Sequence, residues 1–173
     1  NPSAEVTNKD ANMDGVVDTV EEKLTITGSV NTRGFEIKLI DEFNNEIAAT
    51  IEEGSTDAGV TGFTASFPGE DIQGSVYSLK VFKLGYTSYT VTGIPTADLN
   101  EAVFEGLEIY GGDLTGEGDV TSADEIVFKS NIGMLNATAK DGDLTGDGSV
   151  TSADEIVFSA NIGKLSVSKP WTK

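Results

Sequence analysis

Between residues 23 and 110 the chain is a succession of short runs rich in Val, Ile, Thr, Tyr and Phe: KLTITGSV, GFEIKLID, EIAATIE, GFTASFPG, SVYSLKVFKLG, YTSYTVTGI and AVFEGLEIY. Gly, Asn or Pro separates them, and helical periodicity is absent. Seven β-type runs spaced about 10–13 residues apart predict an all-β sandwich. Beyond residue 110 the pattern changes. Asp124, Phe128 and Ile132 recur at a spacing of four, and so do Asp154, Phe158 and Ile162. Thr and Ser followed by an acidic residue open each stretch, and Gly133 and Gly163 close them. These signals predict two helices of about three turns.

The two helical stretches belong to an internal repeat. Residues 112–133 read GDLTGEGDVTSADEIVFKSNIG and residues 142–163 read GDLTGDGSVTSADEIVFSANIG, an offset of 30 with four differing positions. The Gly- and Asp-rich half of each copy fits a twelve-residue calcium loop, in which oxygen ligands stand at positions 1, 3, 5, 7, 9 and 12 and Gly at 6 makes the sharp turn. Copy one supplies Asp113, Thr115, Glu117, Asp119 through its carbonyl, Thr121 through water, and Asp124, with Gly118 at the turn. Copy two supplies Asp143, Thr145, Asp147, Ser149 through its carbonyl, Thr151 and Asp154, with Gly148 at the turn. A hard dication wants six to eight oxygens at about 2.3–2.6 Å, which alternate residues of a tight loop can provide. Thr at position 3 weakens the field. Asp at position 12 is shorter than the usual Glu, so the following helix must sit closer. No helix is expected before either loop, because LEIYGG and NATAKD are short and poorly helical.

Each helix carries two stripes. Phe128, Ile132, Phe158 and Ile162, with Val120 and Val150, are expected to form a small core between the helices. The second stripe is Ser122, Ala123, Ile126, Val127, Ser130 and Met134, with Ser152, Ala153, Ile156, Val157, Ala160 and Lys164 as its counterpart. About 60 residues cannot bury both stripes, so the second is assigned to a protein partner.

Composition narrows the chemistry. The 173 residues hold 11 Lys and Arg against 29 Asp and Glu, a net charge of −18. That disfavours nucleic acid and anionic membranes, which need clustered cations. Cys and His are both absent, which removes disulfides, thiolate and imidazole chemistry and the usual zinc ligands. No apolar run approaches the roughly 20 residues of a membrane span. The polar opening NPSAEVTNKD shows no signal peptide and reads as part of a larger or processed protein. An enzyme is not expected: most of the clustered carboxylates are allotted to calcium, and two small modules offer little room for a substrate cleft.

The loops DLTGEGDVTSAD and DLTGDGSVTSAD, each followed by a helix, resemble the dockerin modules of cellulosomes, nearest the type I pattern. The resemblance spans residues 111–168 and implies calcium-dependent, tight binding to a cohesin module in an extracellular, cell-surface-associated bacterial complex. It places recognition at loop positions 10 and 11, here Ser122–Ala123 and Ser152–Ala153, where many type I dockerins carry Ser-Thr. The close repeat implies docking in two orientations about 180° apart. The stretch SLKVFKLGYTSYTVTGIP resembles Ig-like or carboxypeptidase-regulatory-like sandwiches, and such a neighbour before a dockerin is an X-module of a scaffoldin. The fold expected is therefore a mixed two-domain one: an N-terminal segment to residue 22, an X-module-like β-sandwich over 23–110, a small α dockerin domain of two loop–helix repeats over 111–168, and a tail over 169–173. The junction YGG leaves almost no linker, so the two units are expected to pack rigidly. Carbohydrate binding is disfavoured, since Trp is absent from residues 1–110. The alternative is a calcium-stabilised adhesin or sensor domain of a surface protein.

Two further features stand out. Residues 10–21, DANMDGVVDTVE, place Asp10, Asn12, Asp14, Val16 by carbonyl, Asp18 and Glu21 at the ligand positions of a third candidate calcium loop. Trp171, the single tryptophan, is expected to clasp the two ends of the dockerin region by stacking near Tyr110 and Gly111.

Overall fold

Strand β1 (Lys23–Val30) turns Leu24, Ile26 and Val30 inward, and β5 (Val60–Pro68) answers with Phe63, Ala65 and Phe67. The two pair antiparallel from Lys23↔Pro68 to Val30↔Thr61. Their period-2 burial is what one buried sheet face demands. The computed structural model describes residues 23–173. Over those residues β2 (Glu36–Asp41), β3 (Glu46–Ala48), β4 (Thr50–Asp57), β6 (Val76–Phe82), β7 (Tyr89–Pro95), β8 (Val103–Leu107) and β9 (Val167–Pro170) complete two sheets. Their orders are β4-β5-β1-β8 and β3-β2-β6-β7-β9. Between them lies a core that includes Ile26, Ile37, Leu39, Phe67, Tyr77, Leu79 and Ile94, each at most 2% exposed. Each such side chain contributes about 1.5–3 kcal/mol of burial. A short helix, α1 (Thr96–Leu99), links β7 to β8 and buries Leu99.

The run EIAATIE, read as one strand, forms two. Glu46–Ala48 pairs with β2, and Thr50–Asp57 pairs with β5 in the other sheet. Ala49 is the corner, its N–H donating to the Ile37 carbonyl at 2.9 Å.

The expected mixed two-domain fold, a sandwich followed by a small α dockerin domain, is overturned. The described residues form a sandwich of nine strands with short helices only, and no second domain of loop–helix repeats stands apart from it. After the last helix the chain returns to the sandwich, where β9 pairs in parallel with β7 from Tyr89↔Val167 to Thr92↔Pro170. The segment carrying the helices α2 (Ser122–Asn131) and α3 (Ser152–Asn161) is therefore spliced between β8 and β9 of one sandwich.

Trp171 also departs from expectation. It packs on Phe104 with ring centres 5.4 Å apart and planes tilted by 45°, not against Tyr110, and its indole N–H donates to Asp98 at 3.1 Å. Lys173 bonds the other Asp98 oxygen at 2.9 Å. The register of β9 brings Trp171 there, since the Trp171 N–H donates to the Thr92 carbonyl at 2.8 Å. Tyr110 is engaged instead by Lys164, whose ammonium lies 4.5 Å from the ring centre.

Two tests follow from this closure. Trp171→Ala should cost about 2 kcal/mol in urea denaturation, less than a fully buried aromatic truncation because the ring is half-buried. An unchanged midpoint would remove the anchor. Lys173 first, then Trp171, hold the Asp98 carboxyl below its ordinary value of 3.8. That contribution is present above about pH 4 and is lost as pH falls through the depressed folded value. The melting-temperature gap between wild type and Asp98→Asn should thus be open at about pH 7 and narrow progressively as the pH falls below about 4. A gap independent of pH would show the ion pair to be idle.

Candidate functional site

Both loops are built by their first and last carboxylates. Asp113 accepts from the N–H groups of Gly116 and Gly118 at 2.8 and 2.9 Å, and Asp143 accepts from Gly146 and Gly148 at the same distances. Gly118 and Gly148, at the sixth loop position, have φ of 96° and 87°, the left-handed turn that favours glycine. The last carboxylate serves two structures at once. One Asp124 oxygen accepts from the Thr115 N–H and hydroxyl, both at 2.8 Å, and the other accepts from the Thr121 N–H at 2.7 Å. In copy two Asp154 accepts from the N–H groups of Leu144 and Thr145 at 2.9 and 2.8 Å and from that of Thr151 at 2.8 Å. Thr121 and Thr151 cap α2 and α3, each completing a capping box with the aspartate three residues on.

These four aspartates are buried, Asp113 and Asp143 at 5% exposure and Asp124 and Asp154 at 0%. No described ion pair reaches them: the four present are Arg33–Glu53, Lys38–Glu46, Lys129–Glu125 and Lys173–Asp98. Burial pushes the Asp113 carboxyl up, the Gly118 and Gly116 N–H groups pull it back, and the Asp124 charge pushes it up again. Burial also opposes ionisation of Asp124 and Asp154, but the Thr donors outweigh it and hold both below the ordinary range.

The donor set fits a hard cation. Each loop offers two buried carboxylates, Thr hydroxyls and backbone carbonyls, and no soft ligand. Among the described residues no three acidic side chains converge on one point. Glu117 and Asp147, the fifth-position carboxylates, lie exposed on the rim with Thr115 and Thr145. Asp119, Thr121, Ser149 and Thr151 are half-buried. The third candidate loop, Asp10 to Glu21, lies outside the described residues.

The two copies are locked to one another. The Val120 N–H donates to the Lys164 carbonyl at 2.9 Å, and the Gly163 N–H donates back to Val120 at 2.8 Å. Val150 makes the matching pair with Met134 and Gly133, at 3.0 and 2.8 Å. Phe128 and Phe158 stack at 5.0 Å over the buried Val120 and Val150. Ile132 and Ile162 do not join this core; each is 51% exposed. The helices end at Asn131 and Asn161, and the next residue takes a ψ of 126° or 129°, which breaks the spacing-of-four face. Leu144 and Ala137 fill in instead.

On the outer stripe Ser122, Ala123, Ile126, Ser130 and Met134 are exposed, as are Ser152, Ala153, Ile156, Ala160 and Lys164. Val127 and Val157 are half-buried, and Val157 packs on the inner cluster. Ile126 and Ile156 are 72% and 73% exposed. Leu135 and Leu165, at 73% and 60%, were missed. They bridge to Ser149 and Asp119 of the opposite loop. Their signal was available, because the 30-residue offset continues to this pair.

No protein-family model matches the sequence, and no curated protein matches it. Among solved structures the chain is similar to a chain of a crystallised complex from Acetivibrio cellulolyticus, a C-terminal interface mutant of a type II cohesin–X-dockerin complex. The TM-score is 0.51 at 18% identity, covering 82% of this chain and 97% of that one. The likeness is one of fold.

The double duty of the loop–helix junction can be tested by its caps. Thr121→Ala and Thr151→Ala should each destabilise the protein by about 1 kcal/mol in denaturant titrations with chelator present, so that the loss reports the cap alone. An unchanged midpoint would mean that the aspartate fixes the helix start without the threonine.

Proposed function

We propose that the chain is a calcium-dependent anchoring module that binds a cohesin through the exposed starts of α2 and α3. The observation that carries this reading is the repeated pairing of buried carboxylates, outside any described ion pair, with an exposed small-residue and aliphatic helix face. The dockerin resemblance of the two loops and the similarity to a chain of a cohesin–X-dockerin complex support it.

The calcium ligands would be Asp113, Thr115, Glu117, Asp119, Thr121 and Asp124 in one loop, and Asp143, Thr145, Asp147, Ser149, Thr151 and Asp154 in the other. Bound calcium would supply the positive charge that offsets the buried carboxylate pairs. The chain's own residues do the rest. Asp124 and Asp154 tie the loop backbone to the first helical turn, so order in the loop is order at Ser122–Ala123 and Ser152–Ala153. Metal-binding free energy then appears as folding free energy of the docking face. Leu135 and Leu165 add exposed apolar surface after each helix, and Ile126 and Ile156 are the central apolar contacts. Their near-equal exposure supports two docking orientations. The sandwich takes the X-module role, the setting is an extracellular bacterial complex, and the chain carries no catalytic activity of its own.

Titration calorimetry against a panel of cohesins, in calcium and then in EDTA, tests the reading. Tight one-to-one binding in calcium alone is expected. Asp124→Ala combined with Asp154→Ala should abolish it, while changing Ser122–Ala123 alone should leave affinity near wild type because the α3 face substitutes. Loss on the single-face change would leave one orientation. Calcium uptake with no cohesin bound would point to a calcium-stiffened surface protein instead.

A further inference from the structure

The turn between β6 and β7 touches both loops. Just before loop one, the Gly112 N–H donates to the Gly85 carbonyl at 2.8 Å, and Tyr86 forms an isolated antiparallel bridge with Gly111. The Thr87 N–H adds a bond to the Tyr110 carbonyl at 2.9 Å. On the far side of loop one, Ser166 donates its N–H to the Gly118 carbonyl at 2.6 Å and accepts the Ser88 N–H on its hydroxyl at 2.9 Å. The same turn reaches loop two. A Cβ on Gly85 would lie 2.3 Å from the Ala139 carbonyl oxygen, and Gly85 has a φ of 77°. No other residue fits that closeness to the single turn, Ala139–Asp141, that leads into loop two. A Cβ on Gly111 would meet Leu144 of loop two and the Tyr86 ring, both at 3.0 Å. Tyr86 alone among the described aromatics packs on both the sandwich core and the small inter-helix core. Lys83 and Tyr86 line one crevice beside Asp143 and Gly146 and a second beside Asp113 and Gly118.

We propose that the β6–β7 turn is the shared positioning element of both calcium loops, with Tyr86 as its central side chain, so that a change in the sandwich alters ion binding in both loops together. The proposal rests on the calcium reading above. Neither loop contains a residue of this turn, and each is held by it from a different side. A perturbation at Tyr86 therefore reaches both loops, whereas one inside either loop begins locally.

The test is Tyr86→Ala, with Tyr86→Phe as the conservative partner and Phe43→Ala, 75% exposed in the β2–β3 turn, as control. Calcium titration of the full chain should show both sites weakened by about tenfold in Tyr86→Ala, a linkage effect of loosened loops, with Tyr86→Phe and Phe43→Ala like wild type. Hydrogen exchange supplies the second readout. The amides of Gly116, Gly118, Gly146 and Gly148 should exchange faster in Tyr86→Ala while the β1–β5 ladder keeps its protection. If Tyr86→Ala fails to fold, Tyr86→Leu carries the same comparison. Loosening of one loop only, of neither, or of the β1–β5 ladder to the same extent would overturn the proposal. If the wild type takes up no calcium, the functional reading fails, and the exchange arm still decides whether the turn positions both loops.

Discussion

A buried carboxylate has to be satisfied, and Asp124 and Asp154 meet that requirement in a way that organises both loop–helix repeats. Each is fully buried, and an ionised group without partners there would cost several kcal/mol. Each finds its donors on two sides. The loop offers the Thr115 or Thr145 N–H, and the helix start offers the Thr121 or Thr151 N–H and hydroxyl. Loop and helix cannot separate without stranding the charge. The short reach of Asp compared with Glu makes the junction tight. It also explains how ten-residue helices, too short to be stable alone in water, have defined first turns.

Two such junctions make a unit that is nearly two-fold symmetric within itself and asymmetric in its attachments. Most internal contacts match across the copies: Val120 with Val150, Phe128 with Phe158, and the Asn131 and Asn161 side chains donating to the Asp141 and Gly111 carbonyls, both at 2.8 Å. The external attachments do not match. The chain enters copy one directly from β8, and it leaves copy two into β9, a strand of the opposite sheet. Copy one and the end of copy two are thereby tied to different sheets of one sandwich. This is why the segment is spliced into the fold instead of hanging from a linker.

Much of this was legible in the sequence, and the misses have specific physical causes. The β-runs, the loop turns at Gly118 and Gly148, the caps at Thr121 and Thr151 and the Phe128–Phe158 core all follow from local rules of spacing, turn chemistry and capping. What failed depended on partners distant in sequence. EIAATIE carries no mark of the corner at Ala49, because the sheet switch is set by the Ile37 carbonyl that receives its N–H. The run VSKP, with one aliphatic residue and a proline, has no strand signal; it becomes β9 only because the edge of β7 is open to it. Trp171 then follows the register of that strand to Phe104, which no count of residues from Tyr110 could foresee. Ile132 and Ile162 obey the right period on the wrong side of a helix end. A spacing-of-four argument holds only while the helix lasts. The division into two domains failed for the same reason as Trp171: the return strand, not the loops, decides where the sandwich stops.

The asymmetry reaches the outer surface as well. At the far end of the α2 stripe stands Met134, exposed and flexible, while its counterpart Lys164 is drawn over the Tyr110 ring. The starts of the two helices are alike in sequence and exposure, so a partner reading only Ser-Ala and the following Ile meets two equivalent surfaces. A partner whose contact extended a further two turns would meet a polarisable thioether on one side. On the other it would meet an ammonium already engaged with an aromatic face. In the docking proposed above, discrimination between orientations is a matter of footprint length. A short footprint leaves the pseudo-symmetry intact, and a longer one meets Ser130 against Ala160 and then Met134 against Lys164, which lies over the Tyr110 ring.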